Sequence, residues 1–160
     1  MPELSKISPQ ELSIERLGVA HIHVLEALHQ TSFEKPWTVG EFGKLLNHQD
    51  TGGFIALNAQ LAPLGFILVR GAGDEAEILT LCVDPHHRGQ KIATRIIDRL
   101  IADYKAQEMD RIFLEVGQEN QPAIALYRQC GFERVGERPD YYRKPGEMPE
   151  AAIIMAYSCR

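Results

Sequence analysis

The sequence predicts an α/β fold: one mixed, mostly antiparallel sheet with helices on both faces. Three observations predict it. Short apolar runs of strand length recur between turn residues. Apolar residues recur at helical spacing over 19–33, 38–46 and 89–108. A strand, a long helix and another strand follow one another in the second half, and that crossover makes its two strands parallel. Residues 1–160 are expected to form one domain, since 160 residues with 44% hydrophobic and 24% charged side chains suffice for one core.

Residues 12–17 read as a first strand, with Leu12, Ile14 and Arg16 on one face. Ile22, Val24, Leu25 and Leu28 then define a helix that Lys35-Pro36 ends. Thr38 followed by Glu41 is a capping-box pair opening a second helix, whose apolar face is Phe42, Leu45 and Leu46. Residues 54–57 and 64–70 read as strands joined by a turn at 58–60. Residues 77–83 form a nearly continuous apolar run, as a central strand requires, and Asp84-Pro85 stops it. Ala93, Ile97, Leu100, Ile101 and Tyr104 mark the buried stripe of the long helix, with Ile92 and Ile96 beside it and Arg95, Asp98, Arg99 and Asp103 outside. Residues 111–116 give the parallel partner. A short helix spans 122–130, with Asn120 as cap, Pro122 in its first turn and Gly131 at its end. Residues 132–136 and 151–157 close the sheet, and the Pro-, Gly- and Tyr-rich stretch 137–150 reads as a loop.

Composition narrows the function classes. The formal net charge of −5 argues against a dedicated nucleic-acid binder, which needs a basic face. An acidic field leaves room for a cationic substrate, although plain solubility is the better account of the charge. Cys82, Cys130 and Cys159 are an odd set without metal-ligand spacing, which fits a reducing cytoplasm; Cys82 and Cys130 lie in apolar runs as small core residues. The N-terminus lacks the form of a signal peptide, and no run reaches the roughly 20 apolar residues of a membrane span. His21, His23, His29 and His48 match no metal motif, and His86-His87 reads as an exposed pair in a turn. No metal is expected.

Two segments carry chemistry. The first is the turn Asp84-Pro85-His86-His87-Arg88-Gly89-Gln90-Lys91-Ile92-Ala93 ahead of the long helix. The first N–H groups of a helix lack intrahelical partners and carry the positive end of its dipole, so a phosphate can be held there, with Arg88 and Lys91 adding charge. An ordinary strand-to-helix turn with solvated basic residues is the alternative. The second segment runs from Leu114-Glu115-Val116 to Asn120 and Tyr127. Glu115 at a strand end is either paired structurally or functional, and burial would raise its pKa toward that of a general base. Asn120 and Tyr127, seven residues apart, share a helix face. Tyr127 is otherwise a core aromatic whose hydroxyl finds a partner.

These residues together resemble the GNAT superfamily of acetyltransferases. Arg88-Gly89-Gln90-Lys91-Ile92-Ala93 resembles the Arg/Gln-x-x-Gly-x-Gly/Ala motif that holds coenzyme A pyrophosphate, and Asn120-x-x-Ala123-x-x-Leu126-Tyr127-x-x-x-Gly131-Phe132 resembles the second motif. The likeness covers the chain from about residue 12 onward. Phe33-x-x-Pro36-Trp37-Thr38, Leu114-Glu115-Val116, Arg138-x-x-Tyr141-Tyr142 and the run Ala152-Ile153-Ile154-Met155 narrow it to RimI-type ribosomal-protein-alanine N-acetyltransferases. The resemblance implies a splayed parallel strand pair binding acetyl-CoA. It implies Leu81, Cys82, Val83, Arg88, Gly89, Gln90, Lys91, Ile92, Ala93, Thr94, Asn120 and Tyr127 as cofactor-binding residues. It also implies Glu115 as general base, Tyr127 as general acid toward the leaving thiolate, and Trp37, Glu115, Tyr141 and Tyr142 as acceptor-binding residues. The expected partner is a protein N-terminus, of a ribosomal protein by this resemblance, with no nucleic acid or membrane; the chain is expected as a monomer or weak dimer in the cytoplasm.

Two positions depart from the pattern. Lys91 stands where the motif has glycine. In a helical conformation lysine fits and its ammonium adds attraction for phosphate; at positive φ its Cβ is strained. Its place in the first helical turn favours the helical case. Gly117-Gln118-Glu119 replaces the family's arginine and small residues, which bears on the acceptor rather than the chemistry. The expected reaction is direct attack of a neutral amine on the thioester, with backbone N–H groups of residues 79–83 stabilising the oxyanion. Deprotonation at pH 7 costs about 1 kcal/mol for an α-amine and about 4.6 kcal/mol for lysine, which favours the α-amine. A small-molecule amine or lysine acetyltransferase and a non-catalytic binding module are the alternatives.

Overall fold

The computed structural model describes residues 8, 11–142 and 150–160, with the side chains of 140–142 and 150 outside the description. The elements are β1 (Ser13–Arg16), α1 (Ile22–Gln30), α2 (Val39–Leu46), β2 (Thr51–Leu57), β3 (Pro63–Ala72), β4 (Glu75–Val83), α3 (Ile92–Ala106), β5 (Arg111–Gly117), α4 (Gln121–Gln129), β6 (Glu133–Tyr142) and β7 (Glu150–Ser158). The strand order is β1-β2-β3-β4-β5-β7-β6. The pairs β1–β2, β2–β3, β5–β7 and β6–β7 are antiparallel and β4–β5 is parallel, so the sheet is mixed, as the sequence predicts. The chain divides into two compact units, Met1–Arg70 with Leu79–Leu100, and Gly71–Ile78 with Ile101–Arg160.

In the first unit, Leu25 and Leu28 of α1 and Phe42 of α2 pack with Ile55, Leu57, Phe66, Leu68 and Cys82 of the strands. Phe54, adjacent to Ile55 in β2, points to the opposite face because strand side chains alternate. There its ring lies under the guanidinium groups of Arg16 and Arg99, at 5.4 and 5.0 Å from the ring centre. Arg99 belongs to α3, so helices cover both faces of β2. The buried residues of α3 here are Ile92, Ile96, Ile97 and Leu100, whereas Ala93, expected in the stripe, is half-buried. The second helix starts where the capping box places it: Thr38 Oγ1 accepts from the Glu41 N–H at 3.2 Å, and Glu41 Oε2 accepts from the Thr38 N–H at 2.7 Å. Gly65 sets the spacing of β3, since a Cβ there would lie 2.6 Å from the Cys82 carbonyl oxygen. The Asp84 N–H donates to the Leu64 carbonyl at 2.7 Å, which anchors the end of β4.

In the second unit the parallel β4–β5 ladder covers three pairs, Glu75↔Arg111, Ala76↔Ile112 and Glu77↔Phe113. Arg111 holds Glu75 there at 2.7 Å. Along its whole length β5 pairs with β7, from Arg111↔Ser158 to Gly117↔Ala152. The end of α4 is sharp because Gly131 takes φ +97, a left-handed value that costs glycine little.

Three expectations are corrected. Residues 19–33 are not one helix: Val19–His21 forms a 3-10 turn before α1. The stretch 137–150 is not a loop throughout. β6 continues to Tyr142 and β7 begins at Glu150, because Gly136, Glu137 and Arg138 pair with Ile154, Ile153 and Ala152; residues 143–149 lie outside the description. The long helix begins at Ile92 rather than Gly89, because residues 89 and 91 both take positive φ.

Candidate active site

The turn after β4 is built from local hydrogen bonds. The Asp84 carboxylate accepts from the His86 N–H at 2.9 Å and starts a 3-10 turn over Pro85–His87. Gly89 follows at φ +78 and Lys91 at φ +60. Lys91 is therefore left-handed, which overturns the expected helical conformation. The physical reason is that residue 91 stands just before α3: its carbonyl accepts the Arg95 N–H at 3.1 Å while its own φ reverses the chain into the helix. A β-carbon in this region costs about 1–2 kcal/mol relative to glycine.

A recess of about 250 Å³ opens at this point, lined by Leu12, Gln90, Lys91, Ile92, Thr94, Arg95 and Asp98. A Cβ at Gly89 would meet nothing within 4 Å, so the turn is open there. The donor set suits a pyrophosphate: first-turn amides of a 15-residue helix, with Arg88, Lys91 and Arg95 alongside. Arg88 and Lys91 are exposed, Gln90, Ala93 and Thr94 half-buried, and Ile92 buried. On β4, Leu81 and Val83 are half-buried and Cys82 is buried.

The C-terminal end of α1 and the segment after it meet β4 through polar contacts that the spacing does not reveal. His29 is 2% exposed. Its Nδ1 accepts the Trp37 N–H at 3.0 Å, so Nε2 carries the proton and donates to Thr80 Oγ1 at 3.1 Å. The ring stacks on Phe33 at 4.2 Å and on half-buried Trp37 at 5.1 Å. Burial lowers the His29 pKa to about 4, against a smaller opposing pull from Glu41. The Cys82 thiol donates to the Leu28 carbonyl at 3.1 Å, and burial pushes its pKa up. Ser32 Oγ accepts from Arg88 at 3.2 Å.

Glu115 stands on β5 opposite Ile154. Arg138 of β6 donates to both of its carboxylate oxygens, each at 3.2 Å. The Glu115 side chain is 18% exposed and that of Arg138 58%, so the acid is sheltered and the guanidinium reaches it from the open side. The sequence names Arg138 only as part of a run with Tyr141 and Tyr142; this pairing spans 23 residues and has no local signal. Asn120 caps α4, its Oδ1 accepting from the Ala123 N–H at 3.3 Å. Tyr127 is buried, its ring edge-on to Phe132 at 5.4 Å, and desolvation followed by nearby Cys130 pushes its phenol pKa well up. Tyr141 and Tyr142 extend β6, and their side chains lie outside the described residues. Among the described residues no cluster of His, Cys, Asp or Glu suits a metal ion, and no helix is long and apolar enough to cross a membrane.

The fold and the turn together define the class: a mixed-sheet protein with an anion-accepting helix N-terminus after its central strand. The model of the acetyltransferase (GNAT) family matches residues 22–132, and the chain belongs to that family. It is an N-acetyltransferase, and enzymes of the family take their acetyl group from acetyl-CoA. The chain is 31% identical over 147 residues to a [ribosomal protein bS18]-alanine N-acetyltransferase of Haemophilus ducreyi, covering 89% of this chain and 97% of the relative. It is 35% identical over 120 residues to the N-alpha-acetyltransferase RimI of Mycobacterium tuberculosis, covering 71% and 72%. Its structure is similar to the ribosomal-protein-S18-alanine N-acetyltransferase of Escherichia coli, with a TM-score of 0.84 and 25% identity over 92% and 94% of the two chains.

Proposed function

We propose that this chain acetylates the α-amine of a protein N-terminus, with an alanine on a ribosomal protein as the acceptor. The observation that carries the reading is the end-to-end likeness to the alanine N-acetyltransferase of Haemophilus ducreyi. The amine chemistry supports it, because one sheltered carboxylate has about 3.6 kcal/mol less to overcome with an α-amine than with lysine.

Acetyl-CoA supplies the activated acyl group. The first-turn amides of α3, with Arg88 and Lys91, hold its pyrophosphate, and β4 amides over 79–83 stabilise the oxyanion. Glu115 takes the proton from the ammonium, directly or through one water, while Arg138 keeps the carboxylate oriented. The amine lone pair then forms the N–C bond and the C–S bond breaks. Tyr127 gives its proton to the sulfur. Burial raises its pKa, which keeps the phenol protonated until the sulfur departs. The ammonium loses two protons in becoming an amide. The one taken by Glu115 passes to solvent. The second, shed by the nitrogen once it is bonded to carbon, restores the Tyr127 phenol through solvent, so that one proton ends on the thiol and one in solvent. Trp37 and the Tyr141–Tyr142 end of β6 receive the acceptor peptide.

The test is thiol release from acetyl-CoA with free peptides beginning Ala, Ser or Met, N-terminally blocked peptides carrying lysine, and polyamines. Turnover confined to free Ala or Ser termini is the expected result. Turnover with lysine or polyamines alone replaces the acceptor class. Acetyl-CoA binding without turnover on any of these acceptors overturns the assignment of an Ala or Ser α-amine as acceptor.

A further inference from the structure

His29 is a buried titratable ring that the reaction does not use. Both nitrogens are committed, one to the main chain of Trp37 and one to Thr80 on β4. Its faces are covered by Phe33 and Trp37, and Phe42 meets its edge at 5.4 Å. Such a group cannot reach a substrate proton. It does join three parts of the chain: the end of α1, the segment just before α2 and the middle of β4. The main-chain N–H that it accepts is that of Trp37. Thr80 lies one residue before Leu81, in the strand assigned to the acetyl group.

We propose that His29 is a positioning residue that fixes Trp37 and its segment against β4, and so sets affinity for the acceptor rather than for acetyl-CoA. The inference rests on the acceptor role of Trp37 proposed above. A hydrogen-bond acceptor at Nδ1 is the required feature, because it fixes the backbone from which the Trp37 ring projects. A donor at Nε2 keeps the ring in that orientation. The capping box at Thr38, one residue on, starts α2 at once, so a shift of Trp37 cannot be absorbed before the helix begins.

Two substitutions separate the nitrogens. In His29→Asn the side-chain oxygen stands where Nδ1 stands, and in His29→Gln the amide end stands where Nε2 stands. The acceptor KM is expected to stay within about twofold in His29→Asn and to rise about tenfold in His29→Gln, a loss of about 1.4 kcal/mol. The acetyl-CoA KM and kcat at saturation should change little in either. Thr80→Val, which removes only the Nε2 partner, should raise the acceptor KM by a smaller factor and serves if His29→Gln does not fold. Equal acceptor KM values in all variants, or a parallel rise in acetyl-CoA KM, overturn the proposal. Trp37 is the single tryptophan of the chain, so its near-UV circular dichroism reads the same question without turnover. The band should persist in His29→Asn and collapse in His29→Gln; the same band in both overturns the proposal. Absence of turnover by the unmodified enzyme would instead count against the function proposed above.

Discussion

Acidification should weaken this fold through one side chain. His29 is buried, and its pKa in the folded chain is about 4 against an ordinary 6.5. Desolvation is the main cause, with Glu41 partly opposing it. The unfolded chain binds a proton on this ring below 6.5, whereas the native chain refuses it until about 4. The stability conferred by the neutral ring is therefore complete above 6.5, declines as pH falls, and levels off below about 4. That gap, at about 1.36 kcal/mol per pH unit, amounts to about 3 kcal/mol in full, and about 2 kcal/mol of it is lost by pH 5. Structure gives the mechanism, since a proton on Nδ1 would place a donor against the Trp37 N–H. Urea unfolding of the unmodified protein and of His29→Gln, followed by far-UV circular dichroism at pH 7.5 and pH 5, isolates the effect, because the carboxylates and the other histidines are common to both. The unmodified protein should lose about 2 kcal/mol more than the variant between those two values. Equal losses would refute the reasoning.

Other outcomes follow from the same geometry. Glu115→Gln and Tyr127→Phe should each lower kcat by about 10²–10⁴-fold while acetyl-CoA binding, measured by calorimetry, stays within a few-fold. Lys91→Gly relieves a left-handed lysine at some cost in unfolded-chain entropy, so urea unfolding should show a net gain of about 0.5–1 kcal/mol. Lys91→Val, branched at Cβ, should instead destabilise. Its removal also takes away a cation, so acetyl-CoA affinity should fall in either variant and become less dependent on salt. Thr38→Ala removes the cap of α2 and should lower stability by about 1 kcal/mol in the same unfolding assay.

What the sequence revealed was what short-range rules govern. The Thr38–Glu41 box, the Asn120 cap and the glycine ending α4 are local, and each lies where its pattern places it. The apolar stripe of α3 follows from periodicity alone. Lys91 was misread because the helical pattern of 92–106 extends smoothly backward in sequence, and nothing in a lysine announces a positive φ. The stretch 137–142 was misread because its composition is that of a loop, whereas pairing with β7 makes it a strand. The polar contacts at His29 and Glu115 join residues 51 and 23 positions apart, so they exist only once the strands are in register.

The placement of β7 between β5 and β6 has a consequence for the order of assembly. Glu115 sits on a strand whose far side is covered by residues 150–158, which are synthesised after every other described strand of the sheet. Until they arrive, β5 presents a row of unpaired N–H and C=O groups, a template for pairing with another chain. At ordinary rates of synthesis the 33 residues from Gly117 to Glu150 take about 2–7 seconds to emerge. During that interval the nascent chain carries the carboxylate but not the register that holds it. A chain ending before residue 150 should thus aggregate rather than merely lose activity, since the missing strand closes an edge as well as supporting the site.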